Sequence, residues 1–451
     1  MSLPQYPEYK DSGHPHISKV PSQWEIKPLK HCLRLITEKA TGKSSPIALE
    51  NIEGWSARYL PSESDFEGVG IAFRQGDILF GKLRPYLAKV YQAEFAGEAI
   101  GDFHVMRPVS GFIGRYALYQ FLQESFISVV DGATHGAKMP RVGWEFMGNM
   151  PFVVPRPEEQ LQIARFLSHE TAKIDALIRE QERLIELLQE KRQAVISHAV
   201  TKGLDPDVPM KDSGVQWLGE VPAHWRVGKL RWYATIQGGV AKGKDYQDQK
   251  TVSLPYLRVA NVQAGYVDLT EVKEIAVLES EIERYSLRHG DVLMNEGGDN
   301  DKLGRGTVWR AEIEPCLHQN HVFAIRPNGH LTPEWLAMFT QSSRARSYFF
   351  LNSKQSTNLA SISSSNVMNL DLPMPSVDEQ ERILQFLESE LQQFTDLQKQ
   401  ADKGIQLLLE RRSALISAAV TGKIDVRNWQ PPVDESAFDE EVRQAGMEVT
   451  A

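Results

Sequence analysis

Only two cysteines, Cys32 and Cys316, occur in 451 residues, too few and too far apart for a disulfide framework or a cysteine zinc site. No apolar run reaches the roughly 18 residues that a membrane helix needs. The first residues, MSLPQYPEYKDSG, lack the basic start and apolar core of a secretory signal. A cytoplasmic chain is therefore expected, with no membrane partner. Catalytic spacings are missing as well. GGVAKGKD at 238–245 has the glycines and lysine of a phosphate loop, but Asp245 stands where a Ser or Thr should hold magnesium. DNDKLG at 299–304 opens like a calcium loop, yet its twelfth position is Arg310 instead of a bidentate Glu. There is no His-Glu-x-x-His helix, no Gly-x-Ser-x-Gly elbow and no adenosylmethionine fingerprint, and the twelve histidines are scattered. No catalytic residue, metal site or cofactor is expected in the chain itself.

A net charge of −9 argues at first against a polyanionic partner. Its distribution weakens that argument. Residues 428–451 carry six acids against Arg443, whereas residues 24–155 balance at 14 basic and 14 acidic, and residues 225–375 stand at 17 against 16. Either balanced region can concentrate positive charge on one face.

The most informative feature present is repetition. KDSGHPHISKVPSQW at 10–24 returns as KDSGVQWLGEVPAHW at 211–225, an offset of 201. Residues 155–205 and 375–425 align at an offset of 220, with about 20 of 51 positions identical, including Glu159-Gln160 with Glu379-Gln380. Each of these later blocks reads as a long helix. Acids at Glu158-Glu159 and Asp378-Glu379 suit a first turn. Apolar residues follow in steps of three and four: Ile163, Leu167, Ile174, Leu177, Leu184, Leu188 and Val195, then Ile383, Leu387, Phe394, Leu397, Leu408 and Leu415. A helix over 158–200 would be roughly 65 Å long. Two such helices are expected to pack as an antiparallel coiled coil, with Glu170 near Arg411 and Glu390 near Lys191.

Between the blocks, two segments share an order of signals with little direct identity. Each has Gly-Asp before an apolar strand (GDILF at 76–80, GDVLM at 290–294), a strand ending in Arg-Pro (FHVMRP at 103–108, HVFAIRP at 321–327), an amphipathic helix, and a short strand leading into the long helix. The mixture predicts α+β domains, one fold used twice for different targets. The expected organisation is an N-terminal α+β domain over 1–155, a long helix over 156–205, and a linker over 206–224. A second α+β domain follows over 225–375, then a second long helix over 376–425 and a mobile acidic tail over 426–451.

The paired Pro-x-x-x-Glu-Gln helix starts, GDILFGKLRPYLAK at 76–89, ATHGAKMPRV at 133–142, NEGGDNDKLGRGTVW at 295–309 and STNLASIS at 356–363 carry a resemblance spanning nearly the whole chain. It resembles the specificity subunit of type I restriction-modification systems. The resemblance implies two target-recognition domains, each reading half of a split, asymmetric duplex DNA sequence. It also implies two modification (methyltransferase) subunits held by the helices, and restriction subunits with nuclease and translocase activity. S-adenosylmethionine, ATP and Mg2+ would then belong to those partners. A coiled-coil scaffold without DNA binding, or a self-contained methyltransferase or nuclease, are the alternatives; the scaffold leaves the basic, glycine-containing loops without a use.

Loop chemistry supplies the candidate DNA contacts. Lys82, Arg84 and Tyr86, with His135, Lys138 and Arg141, form the first set; Asn295, Lys302, Arg305, Asn320, His321, Lys354, Gln355 and Asn358 form the second. Lys and Arg suit phosphates or guanine, and amide side chains suit adenine edges. Candidates for helix-helix and partner contacts are Phe166, Leu167, Glu170, Ile174, Leu188, Lys191, Phe386, Leu387, Glu390, Leu408 and Arg411.

Overall fold

A computed structural model describes residues 4–41, 45–61, 68–136, 138–243, 246, 249–298, 303–304, 306–355 and 360–431. The acidic tail from residue 432 onward lies outside them. The chain divides into two compact units, Met1–Glu182 with Asp402–Ala451, and Arg183–Ala401. The division falls inside the long helices, so each unit contains half of each helix and the helices form no separate body.

In the first unit a four-stranded antiparallel sheet runs in the order Leu33–Ile36, Phe103–Pro108, Ile78–Gly81, Val90–Gln92. Side chains alternate between its two faces. Ile78, Phe80 and Met106 enter one core, and Leu79, Phe103 and Val105 another. The second unit repeats the plan with Ala234–Gly238, Val322–Pro327, Val292–Asn295 and Gly306–Val308. Val292, Met294, Phe323 and Ile325 face one side there, and Leu293, Val322 and Ala324 the other.

The recurring Gly-Asp and Arg-Pro signals meet in space. Gly76 and Gly290 turn the chain with φ of +88° and +86°, a region open to glycine. Asp77 and Asp291 then accept from the backbone N–H of Arg74 and Arg288, at 2.9 and 2.8 Å. Each also accepts two hydrogen bonds of 2.7 Å from Arg107 or Arg326 on the neighbouring strand. The carboxylates are 2% and 1% exposed, so the pairing is needed to make their burial tolerable. A second shared device is a buried asparagine. Asn51 and Asn261 each bond the backbone N–H three residues earlier, and their amides donate to Leu60 and Asp268 carbonyls.

The long helices run over Pro157–Lys202 and Val377–Val420. Their shared Glu-Gln pair has a structural cause. Buried Gln160 donates to the Pro155 carbonyl and accepts from the Ile113 N–H, while Gln380 donates to Pro375 and His330 and accepts from Thr332. Each glutamine therefore ties the start of a helix to its own α+β fold.

Within the first unit, Asp175 lies 2.9 Å from Arg412 and Gln181 lies beside Gly404, while Phe166 and Glu170 share a groove with Arg411 and Leu415. Numbers rise along one helix as they fall along the other, so the packing is antiparallel. The second unit repeats this, with Leu188 beside Phe394 and Ile196 in one core with Ile383 and Leu387. The apolar stripe differs from the expected seam at three places. Leu177, Leu184 and Leu397 are 51%, 41% and 46% exposed. The α+β folds cover part of each helix, so the buried arc changes along its length instead of following one heptad line.

The KDSG hairpins close each unit. Strand Tyr9–His14 pairs with Ile17–Pro21, and Met210–Asp212 with Glu220–Pro222. Trp24 and Trp225, both fully buried, pack over Gly422 and Gly203 at the ends of the long helices. Both glycines have positive φ, and a Cβ at Gly422 would collide with Pro21 and Trp24. The opening hairpin thus seats on the helix end some 400 residues later, where Pro4 accepts from the Asp425 N–H at 2.7 Å.

Candidate nucleic-acid interface

In the first unit, strand Ile78–Gly81 runs straight into Lys82, Arg84 and Tyr86. Lys82 N–H donates to the Asp102 carbonyl at 2.8 Å, and Val142 N–H donates to the Lys82 carbonyl at 3.1 Å. Arg84 N–H donates to Pro140 at 2.9 Å, while His135 and Arg141 exchange backbone bonds of 2.9 and 3.0 Å. Three loops are thereby fixed side by side, and they bring together Lys82, Arg84, Tyr86, His135, Lys138 and Arg141. Arg84, Tyr86, His135, Lys138 and Arg141 are exposed or nearly so.

The organising group is one that the sequence reading passed over. Asp102 accepts from Arg141 Nε at 2.9 Å and from its terminal amine at 2.8 Å, with Lys82 Nζ at 3.8 Å. The Arg141 guanidinium holds this carboxyl below the usual carboxylate range, against an opposing effect of burial. Beneath the loops, His104 Nε2 lies 3.1 Å from the Val142 carbonyl, and burial pushes its imidazole pKa down. It braces the loop from inside.

The second unit repeats the backbone with different side chains. Glu296 N–H donates to the His321 carbonyl at 2.9 Å, and Ile362 N–H donates to the Glu296 carbonyl at 2.8 Å. A small sheet of Gly297–Gly298, Ala360–Ser361 and Lys354–Gln355 presents Lys354 and Gln355 at the surface. The Glu296 carboxylate lies 2.7 Å from His321 Nδ1, and His321 Nε2 lies 3.5 Å from the Asn320 amide.

Asn295 is a correction. It is 3% exposed and donates to the Val259 and Val262 carbonyls at 3.3 and 3.1 Å, so it holds an internal turn and cannot reach a base edge. As the last residue of its strand it points inward, and the following Glu296 points outward. Lys302, Arg305 and Asn358 lie outside the described residues. Asp102 and Glu296 had a usable signal: one precedes the Arg-Pro strand, and the other follows the Gly-Asp strand.

On the helices, Phe166, Leu167, Ile174, Leu188 and Leu387 are buried, Leu408 is half-buried, and Phe386 is 40% exposed. Glu170 and Arg411 line a groove of about 410 Å3 with Phe166 and Trp429, but among the described residues they do not pair with each other, and Glu170 lies 4.0 Å from His169 Nε2. The cross-helix pair of this unit is Asp175 with Arg412, which also donates to the Trp55 carbonyl at 2.8 Å. Glu390 and Lys191 likewise form no ion pair among the described residues.

A family model described as the type I restriction modification DNA specificity domain matches residues 222–407. The chain is 24% identical over 333 residues to the type I restriction enzyme EcoKI specificity subunit of Escherichia coli (strain K12), covering 72% of this chain and 68% of that one. It is 23% identical over 443 residues to the type I restriction enzyme MjaVIII specificity subunit of Methanocaldococcus jannaschii, covering 92% and 96%. A solved chain from work on complex assembly and conformational transition of the type I R-M system superimposes with a TM-score of 0.69 at 17% identity, over 90% of this chain and 99% of that one.

Proposed function

We propose that this chain, similar to type I restriction-enzyme specificity subunits in sequence, is itself such a subunit, reading a bipartite, asymmetric duplex DNA sequence and directing adenine methylation or restriction by partner subunits. The observation that carries the proposal is the pair of loop clusters. One backbone arrangement ends each central sheet, yet it bears Lys82, Asp102 and Arg141 in one unit and Glu296 and His321 in the other. Two copies of one reading scaffold with unlike side chains suit two unlike half-sites. A scaffold without DNA binding is not favoured, because it gives these paired clusters nothing to do.

In this proposal the chain supplies recognition, and two modification subunits and the restriction subunits supply catalysis. S-adenosylmethionine, ATP and Mg2+ act in those partners. Exposed leucines of the long helices, Leu177, Leu407 and Leu409 in the first unit and Leu184, Leu187 and Leu397 in the second, offer the modification subunits apolar contacts on each unit. No helix among the described residues is long and apolar enough to cross a membrane.

The test is to express the chain with its modification subunit and map methylated adenines across the host genome. A split, asymmetric motif is the expected result. A palindrome, or no methylation dependent on this chain, overturns the proposal.

A further inference from the structure

The two loop clusters differ in a way that composition does not reveal. Lys82 and Glu296 occupy one position of the shared backbone: each follows the Gly-Asp strand, donates its N–H to the residue before the Arg-Pro strand, and accepts from the returning loop. Asp102 and His321 occupy the facing position, and Arg141 and Ser361 lie on the loop that returns. The order of charge is therefore inverted, cation facing carboxylate in the first unit and carboxylate facing imidazole in the second. All four residues keep part of their side chains at the surface: Lys82 is 29% exposed, Asp102 21%, Glu296 31% and His321 57%.

Hydrogen-bonding capacity follows from these pairs. In the first unit Asp102 is occupied by Arg141 and Lys82, so what remains outward is the unused N–H capacity of the guanidinium and the ammonium. In the second unit the 2.7 Å contact places the Nδ1 proton of His321 against the Glu296 carboxylate. The Asn320 amide lies 3.5 Å from Nε2 on the other side of the ring, so the group of this cluster that can only accept is the Glu296 carboxylate. One cluster presents donors and the other acceptors.

Resting on the DNA-reading function above, we propose that these pairs set base specificity with opposite polarity. Lys82 and Arg141, positioned by Asp102, read the acceptor edge of guanine. Glu296, positioned by His321, reads the exocyclic amino group of an adenine or cytosine. Guanine offers O6 and N7 in the major groove, whereas adenine and cytosine offer N6 and N4 amino donors. Asp102 is a positioning residue: it fixes where the guanidinium points and need not touch DNA.

The experiment transplants one pair into the other unit. The double variant E296K/H321D rebuilds the Lys82–Asp102 pair in the second unit. Methylated motifs are mapped for the full chain with its modification subunit, and duplex binding is measured against salt. The expected result is that one position in a single half-site loses its preference for an amino-bearing base and becomes guanine or unspecified, with the other half unchanged. The single variant His321→Gln alters an exposed side chain and keeps the decision open if the double variant does not fold. It should relax the same position by about tenfold. Asp102→Asn should relax one position in the opposite half, and Asp102→Glu should restore it. Unchanged motifs overturn the inference. So does a uniform change in affinity across sequences accompanied by a change of about one in the salt slope, the signature of phosphate contact. Absence of any split motif from the unaltered chain overturns the underlying function, and this inference with it.

Discussion

At the scale of single residues, the two units are held by pairs whose members lie far apart in sequence. Asp77 joins Arg107, Asp291 joins Arg326 and Asp102 joins Arg141, bridging 30, 35 and 39 residues. For Asp102 the pairing has a pH consequence. Its carboxyl titrates below its ordinary value of 3.8 in the folded chain, mainly because Arg141 bonds the charged form. A depressed folded pKa contributes stability that is complete above the ordinary value and is lost as pH falls through the lower folded one. Asp102→Asn should therefore lower stability near pH 6 by about 1 kcal/mol, a size typical of a partly exposed pair. The variant should also flatten the loss below about pH 4. Urea midpoints at pH 3 to 6 measure both effects; equal slopes for the two proteins would rule out the assignment. The recurrence of Gly-Asp and Arg-Pro was legible in the chain, but their meeting was not, because neither signal says which partner it needs. Asn295 misled for a related reason: an amide at a strand end looks available for a base until the turn that consumes it is seen.

At the scale of elements, the long helices show how far pattern alone reaches. Their starts were legible from acids in the first turn and from the repeated Glu-Gln, and their antiparallel packing from the shared seam. Exposure at Leu177, Leu184 and Leu397 was not, since the recognition folds decide which arc of each helix is covered. The same arginine at matched positions illustrates the point. Arg412 is 6% exposed and bonds both Asp175 and the Trp55 carbonyl, fastening a recognition loop to the helices. Its counterpart Arg192 is exposed along an open groove of about 750 Å3, beside Tyr266. Arg412→Ala should cost about 2 to 4 kcal/mol by removing a buried guanidinium and leaving Asp175 and the Trp55 carbonyl without their partner. Arg192→Ala should stay within about 0.5 kcal/mol. Chemical unfolding of the two variants distinguishes these outcomes, and equal losses would mean that the helix sequence, not its surroundings, sets the contribution.

For the whole molecule, duplication was the most legible property, since two words repeated at two offsets define two copies without reference to any contact. What the repeats leave unstated is which copy of the helix each hairpin chooses. Trp24 sits over Gly422 and Trp225 over Gly203, so the hairpin of one copy finishes on the helix that ends just before its own domain would begin again. The second unit is consequently one uninterrupted stretch, Arg183–Ala401, while the first needs Asp402 and the residues after it. During synthesis this imposes an order in time. The later-made unit has all of its chain as soon as residue 401 emerges, whereas the earlier-made one must wait, with Trp24 and the face that receives Gly422 uncovered, until the second helix is complete. Closing so wide a loop is slow and leaves apolar surface open to aggregation. Pulse proteolysis of ribosome-bound chains halted beyond residue 401, with enough further length to clear the exit tunnel, should find residues 183–401 protected before residues 4–182. The reverse order would show that the first unit reaches its fold without its final helix.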